Sequence, residues 1–152
     1  MAQTQPQERL IGALLRIAFQ ATVERVRERL ADAGYTDLTM AHFSVFQHLP
    51  PGGARVTTLA MKAQITKQSM SALVEHLERQ GYLERRPDPG DRRARVVDLT
   101  ARGEALVQIA RGAIEELERE WAEHLGGERM EQLRSTLRDL ARLIEQQQGT
   151  AP

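Results

Sequence analysis

The sequence contains no cysteine. That excludes a disulfide framework, a thiolate-ligated zinc or iron–sulfur site, a thiol nucleophile and a redox-sensing thiol. No run approaches the ~18 consecutive apolar residues that a membrane span requires. The opening stretch MAQTQPQERL lacks a charged segment followed by an apolar one, so it does not read as a secretory signal. Lysine is scarce: two lysines stand against 19 arginines, a bias that says more about genome composition than about function. Net charge is absent too, with 21 basic and 21 acidic side chains. What is left, at 41% hydrophobic and 28% charged over 152 residues, is the composition of an ordinary soluble, cytoplasmic chain of one domain or two very small ones.

The zero total hides a division. Residues 1–54 balance, residues 55–95 carry nine basic and five acidic groups, and residues 96–152 carry seven basic and eleven acidic ones. Fields act locally, over a Debye length of ~8 Å. A basic middle third can therefore attract a polyanion although the whole chain is neutral. Charge alone is equally compatible with a chance fluctuation on solvated helices, so the motifs must decide.

Periodicity divides the chain into helical segments and one hairpin. From Glu8 to Ala33, apolar residues at Leu10, Leu14, Ile17, Ala21, Val26 and Leu30 give one helical stripe, stopped by Gly34. Thr39 reads as the N-cap of a helix over Met40–Leu49, ended by Pro50-Pro51-Gly52-Gly53. Two short helical patterns follow, broken near Gln64–Thr66 and running to Gln80-Gly81. Tyr82–Arg86 and Arg95–Leu99 alternate locally around Pro87-Asp88-Pro89-Gly90-Asp91, which predicts a β-hairpin with a long charged tip. Thr100 opens a helix to about Leu125, and Gly126-Gly127 breaks it. In the last helix Met130, Leu133, Leu137, Leu140 and Ile144 recur at spacings of 3-4-3-4, a heptad seam suited to a partner helix. Residues 146–152 read as a frayed, disordered tail.

A helix pair followed directly by a charged hairpin is the layout of a winged helix-turn-helix. The expected fold is thus mainly α with a small β-wing. A winged helix-turn-helix spans 38–99, and the helices of 8–37 and 100–147 form a dimerisation region within a single 1–152 unit. In the segment VTTLAMKAQITKQSMSALVEHLERQG, Leu59, Ala60 and Ile65 suit the buried side of a first helix and its turn. Met70, Leu73, Val74 and Leu77 make one core face of the second. Gln68, Ser71 and Ala72 lie on the other side in the turns that reach base edges, with Thr66, Lys67 and Ser69 at the phosphate-facing entrance. Gln can bond adenine twice, an Ala methyl can pack on a thymine methyl, and Ser donates or accepts. Glu75 is discordant, because phosphates repel a carboxylate unless a cytosine amine or an Arg meets it.

Taken singly, these polar positions describe a solvated helix face. The hairpin changes the balance: Arg85, Arg86, Arg92, Arg93 and Arg95 place five guanidinium groups within eleven residues. Edge strands carry charge to block aggregation, but five arginines with two acids at the tip exceed that need. An Arg-tipped hairpin can enter a minor groove, with Asp91 holding a neighbouring Arg by a charge-assisted hydrogen bond.

These residues resemble the MarR family of bacterial transcriptional regulators. LTMAHFSVFQHL is similar to the family's second helix, and VTTLAMKAQITKQSMSALVEHLERQGYLERR to its helix-turn-helix and first wing strand. PDPGDRRARVVDLTARG is similar to its wing signature, an Asp-x-Arg element followed by Leu-Thr and a Gly one turn into the next helix. The resemblance implies that Asp91 and Arg93 are the wing-tip pair, with Arg92 sharing the role, and that Gln68, Ser69 and Ser71 meet the major groove. It further implies a pseudo-twofold homodimer through the first and last two helices, bound to double-stranded DNA at an inverted-repeat operator. Such a repressor releases DNA when a small-molecule effector, aromatic or phenolic by analogy, changes the spacing of the two heads. Arg16, His42 and Phe46 are the candidate effector-binding residues.

Other classes find less support. The missing cysteine excludes the peroxide-sensing branch of the family. His42, His48, His76 and His124 show no i, i+3 or i, i+4 pairing, so no metal site is expected. No nucleophile–base pair, acid pair or phosphate loop can be assembled, so neither catalysis nor a cofactor is expected. The alternative is a winged-helix module for protein–protein contact without DNA, which has no need of an Arg-rich tip.

Overall fold

The computed structural model of the chain describes residues 9–149. Its elements are α1 (Ile11–Asp32), α2 (Met40–His48), α3 (Val56–Lys62), α4 (Lys67–Arg79), β1 (Leu83–Asp88), β2 (Asp91–Leu99), α5 (Ala101–Leu125) and α6 (Gly127–Gly149). A mainly helical chain with one two-stranded antiparallel sheet is the architecture that the patterning predicts. None of the described helices is long and apolar enough to cross a membrane. The described residues pack as two compact units, one of residues 26–111 and one drawn from residues 9–25 and 112–149.

In the first unit, α4 organises the core. Met70, Val74 and Leu77 are fully buried and Leu73 half-buried, so one helical face supplies three large side chains, each contributing about 1.5–3 kcal/mol relative to exposure. Val45 from α2, Leu59 from α3, Val97 from β2 and Tyr82 from the approach to β1 are likewise fully buried. α3 and α2 both pack on α4, and α4 packs on β1. The turn between α3 and α4 is tight: Gln64 takes φ +55°, a left-handed conformation uncommon outside glycine. Ile65, expected in the core, is only half-buried there because it sits at the rim of that turn.

The hairpin departs from expectation. The strands are longer and the tip shorter, with only Pro89 and Gly90 between Asp88 and Asp91. Pairing runs from Leu83↔Leu99 to Pro87↔Arg95, then shifts so that Asp88 faces Asp91. Residues 92–94 therefore bulge from β2 without cross-strand partners. Side-chain bonds order what composition reads as loop: Asp88 Oδ1 accepts the Gly90 N–H at 2.8 Å, and Asp91 Oδ1 accepts the Arg93 N–H at 3.0 Å. On its other edge β2 pairs briefly with Ala54 through reciprocal bonds to Val97 of 3.0 and 2.8 Å. Gly53, at φ +82°, permits that approach, since a Cβ there would lie 2.5 Å from the Val97 carbonyl oxygen.

α5 starts where the wing ends. Thr100 Oγ1 accepts the Gly103 N–H at 3.1 Å, an N-cap bond, and donates to the Gly81 carbonyl. Gly103 lies so close to the chain entering β1 that a Cβ would fall 2.1 Å from the Tyr82 carbonyl oxygen.

In the second unit, Ala113, Leu117 and Met130 are buried. Arg25 makes two 2.8 Å bonds to the Glu120 carboxylate, and Arg134 one of 2.8 Å to Glu118. Of the heptad seam only Met130 is buried in the single chain; Leu133, Leu137, Leu140 and Ile144 are exposed, as are Leu143 beside them and Leu10, Ile11, Leu14, Ile17 and Phe19. α6 continues to Gly149, so 146–149 are helical where a frayed tail is expected. The remainder of that segment, and the residues before Arg9, lie outside the described residues.

Candidate nucleic-acid interface

The N-terminus of α4 is built by its cap. Thr66 Oγ1 accepts the Ser69 N–H at 3.1 Å and donates to Ser69 Oγ at 2.9 Å. Both hydroxyls expected at the phosphate entrance are thereby fixed in one local network. No acid stands in the first turn, so the positive end of the helix is not neutralised from within. Lys67, Gln68 and Ala72 are exposed and Ser71 is half-buried; Gln68 and Ala72 lie on the side away from Met70, Val74 and Leu77, with Ser71 flanking them. Glu75 is also exposed.

The five hairpin arginines fall into two groups. Arg85 turns its Nε onto the Glu78 carboxylate at 2.9 and 3.1 Å, tying β1 to α4. Arg86 is ion-paired with Asp98 and donates to the Gly52 carbonyl at 2.9 Å. These two guanidinium groups are engaged within the protein. Arg92, Arg93 and Arg95 are exposed, and among the described residues no ion pair engages them. Arg92 and Arg93 stand on the bulge, Arg95 opposite Pro87 where pairing resumes.

Asp91 acts differently from expectation. It binds the backbone N–H of Arg93 rather than a guanidinium of the tip, and its other oxygen lies 3.4 Å from Arg55 Nη2. Arg55 in turn grips Asp88, with Nη2 at 2.6 Å and Nε at 2.7 Å from Oδ2. The Asp88 bond, above all, raises the Arg55 pKa from its already high value. The Gly90 N–H first, and Arg55 next, hold the Asp88 carboxyl below the usual range. Sequence reading does not single out Arg55, because its partners lie 33 and 36 residues away and no local spacing links them.

The expected effector residues are distributed over both units. His42 is buried on α2, where its Nδ1 accepts the Thr39 N–H at 2.9 Å. Its ring stacks on His76, centroids 4.4 Å apart, so the histidines that are unpaired along the sequence include two that pair in space. Among the described residues no group of three His, Asp or Glu side chains that could hold a metal ion accompanies them. Burial and then His76 lower the His42 pKa, with Asp37 opposing. Phe46 is half-buried and meets Tyr82 edge-on at 6.5 Å. The Tyr82 hydroxyl donates to Asp37 at 2.7 Å and accepts from Arg102 at 3.2 Å, with the Arg102 guanidinium 4.8 Å from the ring centre. Burial, first of all, raises the Tyr82 pKa. Arg16 belongs to the other unit and bonds Gln20 at 3.4 Å on an exposed helix face.

Comparison with known proteins places this architecture. The MarR family profile matches residues 36–94, the stretch holding α2 to α4 and the wing tip. Transcriptional regulator HosA of Escherichia coli O111:H- is 31% identical over 119 residues, which cover 77% of this chain and 84% of that protein. Among solved structures, transcriptional regulator Tm0710 from Thermotoga maritima is 28% identical with a TM-score of 0.63, over 92% of this chain and 97% of that one. CouR from Rhodococcus jostii RHA1, solved with p-coumaroyl-CoA bound, is 25% identical with a TM-score of 0.65, over 86% of this chain and 91% of its own. With helix order, wing and sequence in agreement, the chain belongs to the MarR family of transcriptional regulators.

Proposed function

We propose that this protein is a homodimeric, sequence-specific repressor that binds double-stranded DNA at an inverted repeat and releases it when a small aromatic or phenolic effector binds. One observation carries the reading. Three exposed arginines that have no ion-pair partner among the described residues sit on the wing of the same compact unit that carries the acid-free, polar first turn of α4. A duplex is the partner that uses both features. In this reading α4 enters the major groove with Gln68, Ser71 and Ala72 at base edges, and Thr66, Lys67 and Ser69 meet phosphates. Arg92, Arg93 and Arg95 reach the adjacent minor groove, where narrowing deepens the negative potential. Arg85, paired with Glu78 on the helix, is a further proposed DNA contact at the base of the wing.

The apolar residues left uncovered on α6 and at the start of α1 support pairing of two protomers, since such a stripe on one chain is stabilised by burial against a second. Two heads then address half-sites about one helical turn, ~10 bp, apart. Effector control requires different affinity for the DNA-compatible and DNA-incompatible spacings, and a coupling of roughly 1–3 kcal/mol changes DNA affinity by about 5–150-fold. The p-coumaroyl-CoA bound to CouR is a phenolic precedent for that effector. His42, Phe46 and Arg16 are its proposed contacts here.

The test is selection of bound duplexes from a random pool. A two-fold symmetric consensus is expected. Failure to bind any duplex at low ionic strength, without effector, overturns the proposal.

A further inference from the structure

We propose that Arg55 is a positioning residue for DNA binding: it clasps the two acids that flank the wing turn and so fixes where the bulge presents Arg92 and Arg93. The inference rests on the DNA-binding reading above. Residues 92–94 have no cross-strand partner, so the β-ladder does not hold them. The bonds from Asp88 to the Gly90 N–H and from Asp91 to the Arg93 N–H are internal to the tip and move with it. Among the described residues, the side-chain bonds of Asp88 and Asp91 that leave the hairpin all end on Arg55.

Arg55 is well placed to act as that anchor. It is the residue before α3, and its neighbour Ala54 is locked to Val97 by two backbone bonds. Its main chain is therefore held against the well-paired part of β2, while its side chain reaches the unpaired part. A guanidinium, planar and forked, can engage two carboxylates at once where an ammonium cannot hold the same geometry. The clasp has an electrostatic side as well. Asp88 and Asp91 stand beside the arginines proposed to reach the minor groove, and Arg55 offsets the repulsion these acids would exert on DNA.

The experiment measures affinity for a labelled duplex recovered by the selection, at one fixed salt concentration. It compares wild type with Arg55→Ala, Arg55→Lys, Asp88→Asn, Arg93→Ala and the double variant Arg55→Ala/Arg93→Ala. Arg55→Ala and Asp88→Asn are each expected to weaken binding by about tenfold. In the Arg93→Ala background the Arg55→Ala loss is expected to shrink to about threefold, because only Arg92 is then left for the clasp to position. Arg55→Lys is expected to recover only part of the affinity. All these variants should keep the wild-type thermal midpoint within about 2 °C, since an exposed ion pair contributes little to stability.

A direct phosphate contact by Arg55 predicts a different pattern: a loss that multiplies with that of Arg93→Ala, full function in Arg55→Lys, and no loss in Asp88→Asn. That pattern overturns the proposal, as does unchanged affinity of Arg55→Ala. If the wild-type protein recovers no duplex at all, it is the DNA-binding reading that falls.

Discussion

The His42 ring lies flat on the His76 ring, centroids 4.4 Å apart and planes within 8°, joining α2 to the proposed recognition helix. His42 Nδ1 accepts a bond from the Thr39 N–H, so that nitrogen must keep its lone pair. A second proton breaks the bond and places a charge against His76, whose buried Nε2 has no hydrogen-bond partner among the described residues. Burial, His76 and the opposing Asp37 leave the His42 pKa below its ordinary 6.5. Below that value the unfolded chain takes up a proton that the folded chain resists. The contribution to stability is therefore complete above pH ~6.5 and lost as pH falls toward the lowered folded value. The thermal midpoint should drop on acidification from about pH 7.5 to 5.5. In His42→Gln, which keeps an acceptor at the third helical position as in a capping box, it should drop less. Identical pH profiles for the two proteins would remove His42 as the cause.

Gly103 and Gly112 both lie in α5, yet substitution should move them in opposite directions. An Ala Cβ at Gly103 would fall 2.1 Å from the Tyr82 carbonyl oxygen, so backbone must shift, whereas at Gly112 it meets nothing within 4 Å. Gly103→Ala is expected to destabilise by about 2–3 kcal/mol through overpacking. Gly112→Ala should stabilise by up to about 1 kcal/mol through helix propensity. Urea titration of the two variants reads both signs, and a Gly103→Ala protein as stable as wild type contradicts the close approach.

Gln68 and Arg93 should fail differently on DNA. Arg93 stands exposed on the bulge with no ion pair among the described residues, a position for sequence-independent charge contact. Arg93→Ala is thus expected to weaken binding to every duplex and to reduce the slope of log K against log salt by about 1. Gln68 is exposed in the first turn of α4, and Gln68→Ala should relax preference at one position per half-site at a cost of about 1–3 kcal/mol. Equal losses for both variants on all sequences would dissolve the division between charge contacts and base contacts.

What was legible in the sequence was what local chemistry decides. The buried face of α4 follows from Met70, Val74 and Leu77 at helical spacing, and the Thr39, Thr66 and Thr100 caps from residue type before an apolar run. The wing was legible as an alternating pair around a turn, and its length was not. Asp88 and Asp91 read as loop residues, but by bonding nearby main-chain N–H groups they carry the strands to Pro89 and Gly90. Pairings across the chain were out of reach for the same reason that Arg55 was. Arg55 with Asp88, His42 with His76 and Arg86 with Asp98 are brought together only by packing, and no periodicity records them. Arg85 shows the cost of counting charges: its partner Glu78 is seven residues away, close enough to find but not marked as a pair until β1 folds beside α4.

Leu137 tests the dimer. On α6 it lies between Leu133 and Leu140, all three exposed in the protomer at 38%, 43% and 37%, whereas Met130 at the head of the same seam is buried. A row of half-exposed leucines at heptad spacing is stabilised by a second apolar surface, and a carboxylate at its centre must be desolvated when that surface closes. Because Leu137 is not one of the buried core residues of the single chain, Leu137→Glu should leave most of the helical content intact. Sedimentation at micromolar concentration should show the variant as monomer and the wild type as dimer. Operator affinity should fall by at least about 100-fold, since one head retains only its own half-site and loses the effective concentration that linkage to a second head supplies. An intact dimer of Leu137→Glu moves the interface away from this seam, and a monomer that still binds the full operator tightly shows that one head suffices.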